Sequence, residues 1–205
     1  MSFEPEADTM TSPLILASAS PRRRMLLETI GVCCEARPAA IDETPRPGEM
    51  PPEYVQRMAL EKARAGAAAN PHAVVLGADT ALSLEGAILG KPGSDDNARR
   101  MLEALSGRAH EVLSAVTVVG PAGELSECVI SEVTLAPLGR DRIEAYLATG
   151  EGQDKAGGYA IQGLAGAFIQ RLVGSYSAVV GLPLRETAEL LIRQGIAIWQ
   201  HPRSP

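Results

Sequence analysis

PLILASASPRRRMLL, from Pro13 to Leu27, puts a strand, a turn and a helix start into one short stretch. The apolar run Leu14-Ile15-Leu16-Ala17 is bounded by turn residues, which suits a buried strand. Ser18-Ala19-Ser20 breaks it. Ser20 is a good N-cap, and Pro21 fits the first helical position, where its missing N–H costs nothing. Met25, Leu26, Leu27 and Ile30 supply the buried face of this helix, and Gly31 closes it. The charge is out of place. Arg22, Arg23 and Arg24 crowd a first turn whose dipole is already positive, at roughly 0.3–1 kcal/mol for each cation. An anion resting on the helix N-terminus would turn that penalty into binding energy. The competing reading is three solvated arginines on a good helix former. The dipole conflict favours the anion.

Composition narrows the classes. A chain of 205 residues suits one domain or two small lobes, and an apolar content of 45% is ample for a core. Aromatics are only 3%, so that core is built from Ala, Val, Leu and Ile. The net charge of −6 argues against nucleic acid as a partner and makes a local cluster of cations more telling. Cys33, Cys34 and Cys128 lack metal-ligand spacing and read as reduced thiols in a reducing compartment. No basic-then-apolar leader and no apolar run long enough for a bilayer is present, so the expectation is a soluble, cytoplasmic protein with no membrane partner. Residues 1–12 read as a disordered N-terminal tail, and residues 13–200 as a single two-lobed domain.

Further along, Val32 to Ala36 reads as a second short strand, and a Pro-rich loop leads to a helix from Pro51 to about Ala69. Its inner stripe is Val55, Met58, Ala59, Lys62 and Gly66 or Ala63. Lys62 stands where an apolar residue is expected: either its ammonium snorkels to water or it points into a cleft. Ala73 to Ala78 is a buried strand that delivers Asp79-Thr80 at its C-terminal end, where α/β sheets place ligand chemistry and where turn aspartates also occur. Leu82 to Leu89 is a hairpin about Glu85-Gly86. Gly90-Lys91-Pro92 is no P-loop, because the glycine spacing is one residue short and Pro92 replaces the required Ser or Thr. Ser94 caps a helix over Asp95–Leu105, and two long antiparallel strands follow, His110–Val119 and Leu125–Leu135. Asp141 to Ala148 is helical. Gly152 to Gly166 is a glycine-rich segment carrying Asp154, Lys155 and Gln162, suited to tight turns and to close backbone approach. A strand at Ala167–Leu172, a helix at Pro183–Gln194 and a short strand at Ile196–Trp199 complete the chain. The fold class is mixed α/β, a long twisted sheet flanked by helices, with a cleft.

The misfits sort by sign. Arg22, Arg23, Lys62, Lys91 and Lys155 suit a polyphosphate; Glu43 and Asp79, with Asp42 and Asp154 as further candidates, suit Mg²⁺ and a water-activating base.

Ser18-Ala19-Ser20-Pro21-Arg22-Arg23, Glu61-Lys62-Ala63, Gly77-Ala78-Asp79-Thr80, Gly90-Lys91-Pro92, Leu105-Ser106-Gly107, Asp154-Lys155-Ala156-Gly157 and Ile161-Gln162-Gly163 resemble the ordered signature of the Maf nucleotide pyrophosphatases, and Gly181-Leu182-Pro183-Leu184 is similar to its last motif. The resemblance runs from about Leu14 to Leu191; Gly158, where alanine is common, is a small departure. It implies a two-lobed fold shared with inosine triphosphate pyrophosphatases, with the site in a central cleft. It also implies hydrolysis of a nucleoside triphosphate to monophosphate and pyrophosphate with a divalent cation (Mg²⁺, Mn²⁺ or Co²⁺). By match to the motifs, Asp79 is the proton acceptor, Ser18, Arg23, Lys62 and Lys91 hold the triphosphate, and Glu43 joins Asp79 at the metal. Arg22, Thr80 and Gln162 are the specificity positions, of the kind found in the branch acting on dTTP and UTP. The alternatives are the 7-methyl-GTP branch, which carries Ser-Asp-Gln and Ser-Glu-Gly, and a non-catalytic nucleotide-binding regulator of septum formation. Homodimers are common among the proteins it resembles.

Overall fold

Residues 13–199 are described by a computed structural model; the expected tail at residues 1–12 lies outside the described residues. Seven strands form one mixed sheet in the order β2-β1-β3-β5-β6-β7, with β4 paired only to β3. The strands are β1 (Leu14–Leu16), β2 (Glu35–Ala36), β3 (Val74–Leu84), β4 (Ala87–Leu89), β5 (Ala109–Gly120), β6 (Gly123–Leu135) and β7 (Ile169–Val173). Helices α1 (Pro21–Thr29), α2 (Pro51–Ala69), α3 (Asp95–Leu105), α4 (Arg140–Leu147), α5 (Tyr176–Val180) and α6 (Leu184–Arg193) cover it. β1 is parallel to β2 and β3; all other pairings are antiparallel.

Side-chain alternation along β3 divides the core. Val75, Gly77, Asp79 and Ala81 face α2, whose buried stripe is the expected Val55, Met58, Ala59, Lys62, Ala63 and Gly66. Leu76 and Ala78 face a cluster with α1 and α6, whereas Leu82 faces a separate one with α3 and α4. α2 lies very close to β3. A Cβ on Gly77 would stand 2.4 Å from the Ala59 carbonyl oxygen and 2.5 Å from the Ala63 nitrogen, so only glycine fits.

Five expectations change. β3 runs through Asp79-Thr80 to Leu84, because β5 pairs with it from Val75 to Ser83 and β4 caps its far end. Met25 is 49% exposed, since the inward stripe of α1 is Leu26, Leu27 and Ile30 and position 25 falls outside it. Ile196–Trp199 is not a strand; the Trp199 N–H donates to the Ile30 carbonyl, beside the end of α1. The strand expected from Val32 shrinks to β2, and the one expected from Ala167 starts at Ile169.

Gly77→Ala is expected to cost roughly 1–3 kcal/mol, about 5 °C in Tm by calorimetry, by wedging α2 off the sheet. An unchanged Tm would show that the helix is not seated on this strand.

Candidate active site

A notch in the sheet makes the site. β1 pairs with β3 over Val74–Leu76, and the Ala17 N–H extends the ladder to the Leu76 carbonyl. β4 takes up the same side only from Leu82. Between them Gly77–Ala81 has a strand neighbour, β5, on one side alone. Leu76 and Leu82 turn their backbone groups toward β1 and β4, so by alternation Ala78 and Thr80 present theirs to the gap. A cavity of about 590 Å³ opens there, within the range that holds a small ligand.

Every sequence-nominated site residue except Asp42 lines this cavity. Ser18, Arg22 and Arg23 enter from β1 and α1, Glu43 and Lys62 from the α2 side, Asp79 and Thr80 from β3. Lys91 and Gln162 close it from the hairpin exit and the glycine-rich loop, with Asp154 and Lys155 beside them. Five cations therefore face three carboxylates in a chain whose net charge is −6. Asp42 does not take part: its carboxylate accepts the Thr44 N–H in a local turn.

Arg23 is held by three protein acceptors. Nε donates to the Gly181 carbonyl at 2.9 Å, Nη1 to Ser18 Oγ at 3.1 Å and Nη2 to Thr80 Oγ1 at 3.4 Å. A guanidinium has five N–H groups, so two remain for a ligand. Burial lowers its pKa, while Asp79 raises it. Ser114 gives its proton to the Ala178 carbonyl at 2.6 Å, so Thr80 is the donor in the 2.8 Å Thr80–Ser114 bond and its hydroxyl is fixed. Ser20 makes no side-chain cap; instead its N–H donates to Ser18 Oγ at 3.2 Å.

Across the notch, Lys62 does not snorkel. Its side chain is 9% exposed, and Nζ lies 2.8 Å from Asp79 Oδ1 and 2.7 Å from Glu43 Oε1. Asp79 Oδ2 receives no hydrogen bond among the described residues. The Lys62 hydrogen bond is the main cause of a lowered Glu43 pKa, with Lys91 and Arg23 adding to it. The loop carrying Glu43 is fastened to α2. Tyr54 Oη donates to the Glu43 carbonyl at 3.0 Å, and Arg57 reaches Glu49 at 2.5 and 2.7 Å and the Thr44 carbonyl at 3.1 Å. Tyr54, which no sequence signal singled out, also lines the cavity; burial, then the fields of Asp79 and Glu43, push its phenol up to about 12.

No group of three metal-ligating side chains occurs among the described residues. Two carboxylates converging on one ammonium nevertheless mark a place for positive charge. That suits Mg²⁺, which binds through one or two carboxylates plus phosphate oxygens.

On the cavity's far wall, the Gly157 N–H donates to the Gly90 carbonyl at 3.1 Å, joining the Lys91 and Lys155 segments. Tyr159 packs beside them with its Oη 2.7 Å from His110 Nε2. Burial lowers the His110 pKa to about 4.

A family model described as Maf-like protein matches residues 13–194. A dTTP/UTP pyrophosphatase from Anaeromyxobacter dehalogenans is 54% identical over 198 residues, 94% of this chain and 100% of that one. One from Alcanivorax borkumensis is 51% identical over 189 residues, covering 91% and 98%. A solved structure, the Staphylococcus aureus Ham1 protein, superposes with a TM-score of 0.43 at 17% identity, over 61% of this chain and 72% of that one.

Lys62→Met is expected to let the Glu43 carboxyl titrate at higher pH, read by carboxyl ¹³C NMR; an unmoved midpoint would break the Lys62–Glu43 assignment. For His110 the folded pKa of about 4 lies below the ordinary 6.5. The unfolded chain therefore binds more protons between those values. This contribution to stability is complete above pH 6.5 and lost on acidification toward pH 4, roughly 3 kcal/mol in all. His110→Gln is expected to flatten that part of the denaturation profile.

Proposed function

The chain belongs to the Maf family, and from that premise we propose that it hydrolyses dTTP and UTP to the monophosphate and pyrophosphate in this cavity. The observation that carries the reading is one cavity holding a surplus of cations beside a carboxylate, Asp79, whose Oδ2 is free to accept a proton. Lys91, Lys155 and the two spare N–H groups of Arg23 hold the triphosphate, with the amides at the start of α1 behind them. Lys62 fixes the Asp79 carboxylate through Oδ1. Asp79 takes a proton from water as the water oxygen bonds to phosphorus and the anhydride bond between the α and β phosphates breaks, releasing pyrophosphate. Glu43 and Asp79 would hold the divalent cation (Mg²⁺, Mn²⁺ or Co²⁺), whose bound charge neutralises the phosphate oxygens. Arg22, Thr80 and Gln162 select the base; the Gln162 amide offers one donor and one acceptor to a pyrimidine edge. Support for a cytoplasmic setting comes from three cysteines that are all free thiols.

Incubated with Mg²⁺ and a panel of nucleoside triphosphates, the protein is expected to release pyrophosphate from dTTP and UTP in preference to purine triphosphates. Release of orthophosphate would overturn the reading. Asp79→Ala is expected to lower kcat by about 10²–10⁴-fold while sparing triphosphate binding by calorimetry. Unchanged turnover would remove Asp79 from the mechanism.

A further inference from the structure

Gln162 is exposed at the rim of the cavity, yet the loop that carries it is tied on both sides. Tyr146 on α4 donates its Oη–H to Glu151 Oε2 at 2.9 Å and accepts the Ala160 N–H at 3.2 Å. Glu151 in turn accepts the Leu164 N–H on Oε1 at 2.8 Å and the Ala165 N–H on Oε2 at 3.3 Å. The anchored amides are those two residues before Gln162 and two and three residues after it. Burial pushes the Glu151 carboxyl up, but the Leu164 and Ala165 amides and the Tyr146 hydroxyl outweigh it, and the group is held below its ordinary range as a carboxylate. Gly163 leaves the room this needs, because a Cβ there would stand 2.0 Å from Glu151 Oε1. Neither Glu151 nor Tyr146 lines the cavity, and neither has a part in the hydrolytic step.

We infer that Glu151 and Tyr146 are positioning residues for base selection: together they fix the backbone on either side of Gln162 so that its amide meets the base in one orientation. The inference rests on the proposed hydrolysis of pyrimidine triphosphates. A side-chain amide discriminates between bases only when its donor and acceptor are held in place beforehand. On a slack loop it adapts to either pattern, and part of its binding energy goes into ordering the chain. The hydrolytic group is anchored elsewhere, on β3 and α2, so loosening this loop alters recognition and leaves the chemical step alone.

Glu151→Gln preserves size but replaces one acceptor oxygen with a donor that faces an N–H or O–H; Tyr146→Phe removes only the hydroxyl. For either variant kcat/KM with dTTP is expected to fall about tenfold, carried by KM with kcat changed less than about twofold. With dGTP, kcat/KM stays at the wild-type value, so the pyrimidine preference shrinks. Amide hydrogen exchange at Leu164 and Ala165 accelerates. Equal losses on dTTP and dGTP would make the network merely structural and overturn the inference, as would an unchanged substrate ratio. If the wild-type protein released pyrophosphate from no triphosphate, the proposed function would fall instead. Calorimetric dTTP and dGTP affinities, together with the exchange rates, would then judge this loop: wild-type values in both variants would overturn it.

Discussion

One ammonium group joins three parts of the chain that are remote in sequence. Lys62 comes from a helix, Glu43 from the loop before it and Asp79 from the middle of a strand, and Nζ sits between the two carboxylates. A buried lysine costs several kcal/mol unless its charge is met, and removing a partner leaves that cost exposed. The three groups consequently hold one another. Their meeting depends on the absence of a side chain at Gly77, which lets the helix backbone come down onto the strand.

The same helix holds the other wall. Tyr54 lies two turns before Lys62 on the same face and pins the backbone of Glu43, while Arg57 grips Glu49 and Thr44 farther along the loop. Arg57 meets the Glu49 carboxylate with two hydrogen bonds, the two-pronged geometry that makes an ion pair worth more than a single surface contact. An element that reads as a plain amphipathic helix is therefore the jig that sets one half of the cavity.

Much of this was legible in the residues. The stripe of α2 came through intact because a period of three and four is a local property, and Lys62 stood out as the one charged member. Gathering the cations by their awkward local placement picked out five side chains that line one cavity. What stayed hidden depends on neighbours. Nothing within Val74–Leu84 tells that β1 stops at Leu16 and β4 starts at Ala87, yet that gap makes the cavity. The short α5 was missed because Tyr176, Val179 and Val180 favour strand; its signal was Ser175, whose Oγ accepts the Ala178 N–H at 3.2 Å. The glycine-rich segment from Gly152 suits both tight turns and close backbone approach, and several of its glycines make that room for the protein itself. A Cβ on Gly152 would stand 1.9 Å from the Gly158 carbonyl oxygen, and one on Gly157 would stand 2.5 Å from Leu82 Cδ1.

The break in strand pairing at Gly77–Ala81 has a consequence for how such a protein can diversify. In a fully paired sheet the opposite faces of a strand look into separate compartments. Here the missing neighbour lets consecutive side chains, Asp79 below and Thr80 above, look into a common chamber. The two side chains given separate roles in the proposed reaction are thus adjacent in the sequence yet held from opposite layers of helices. On the proposed assignment, a codon change at position 80 redirects selectivity while the carboxylate next to it keeps its ammonium partner.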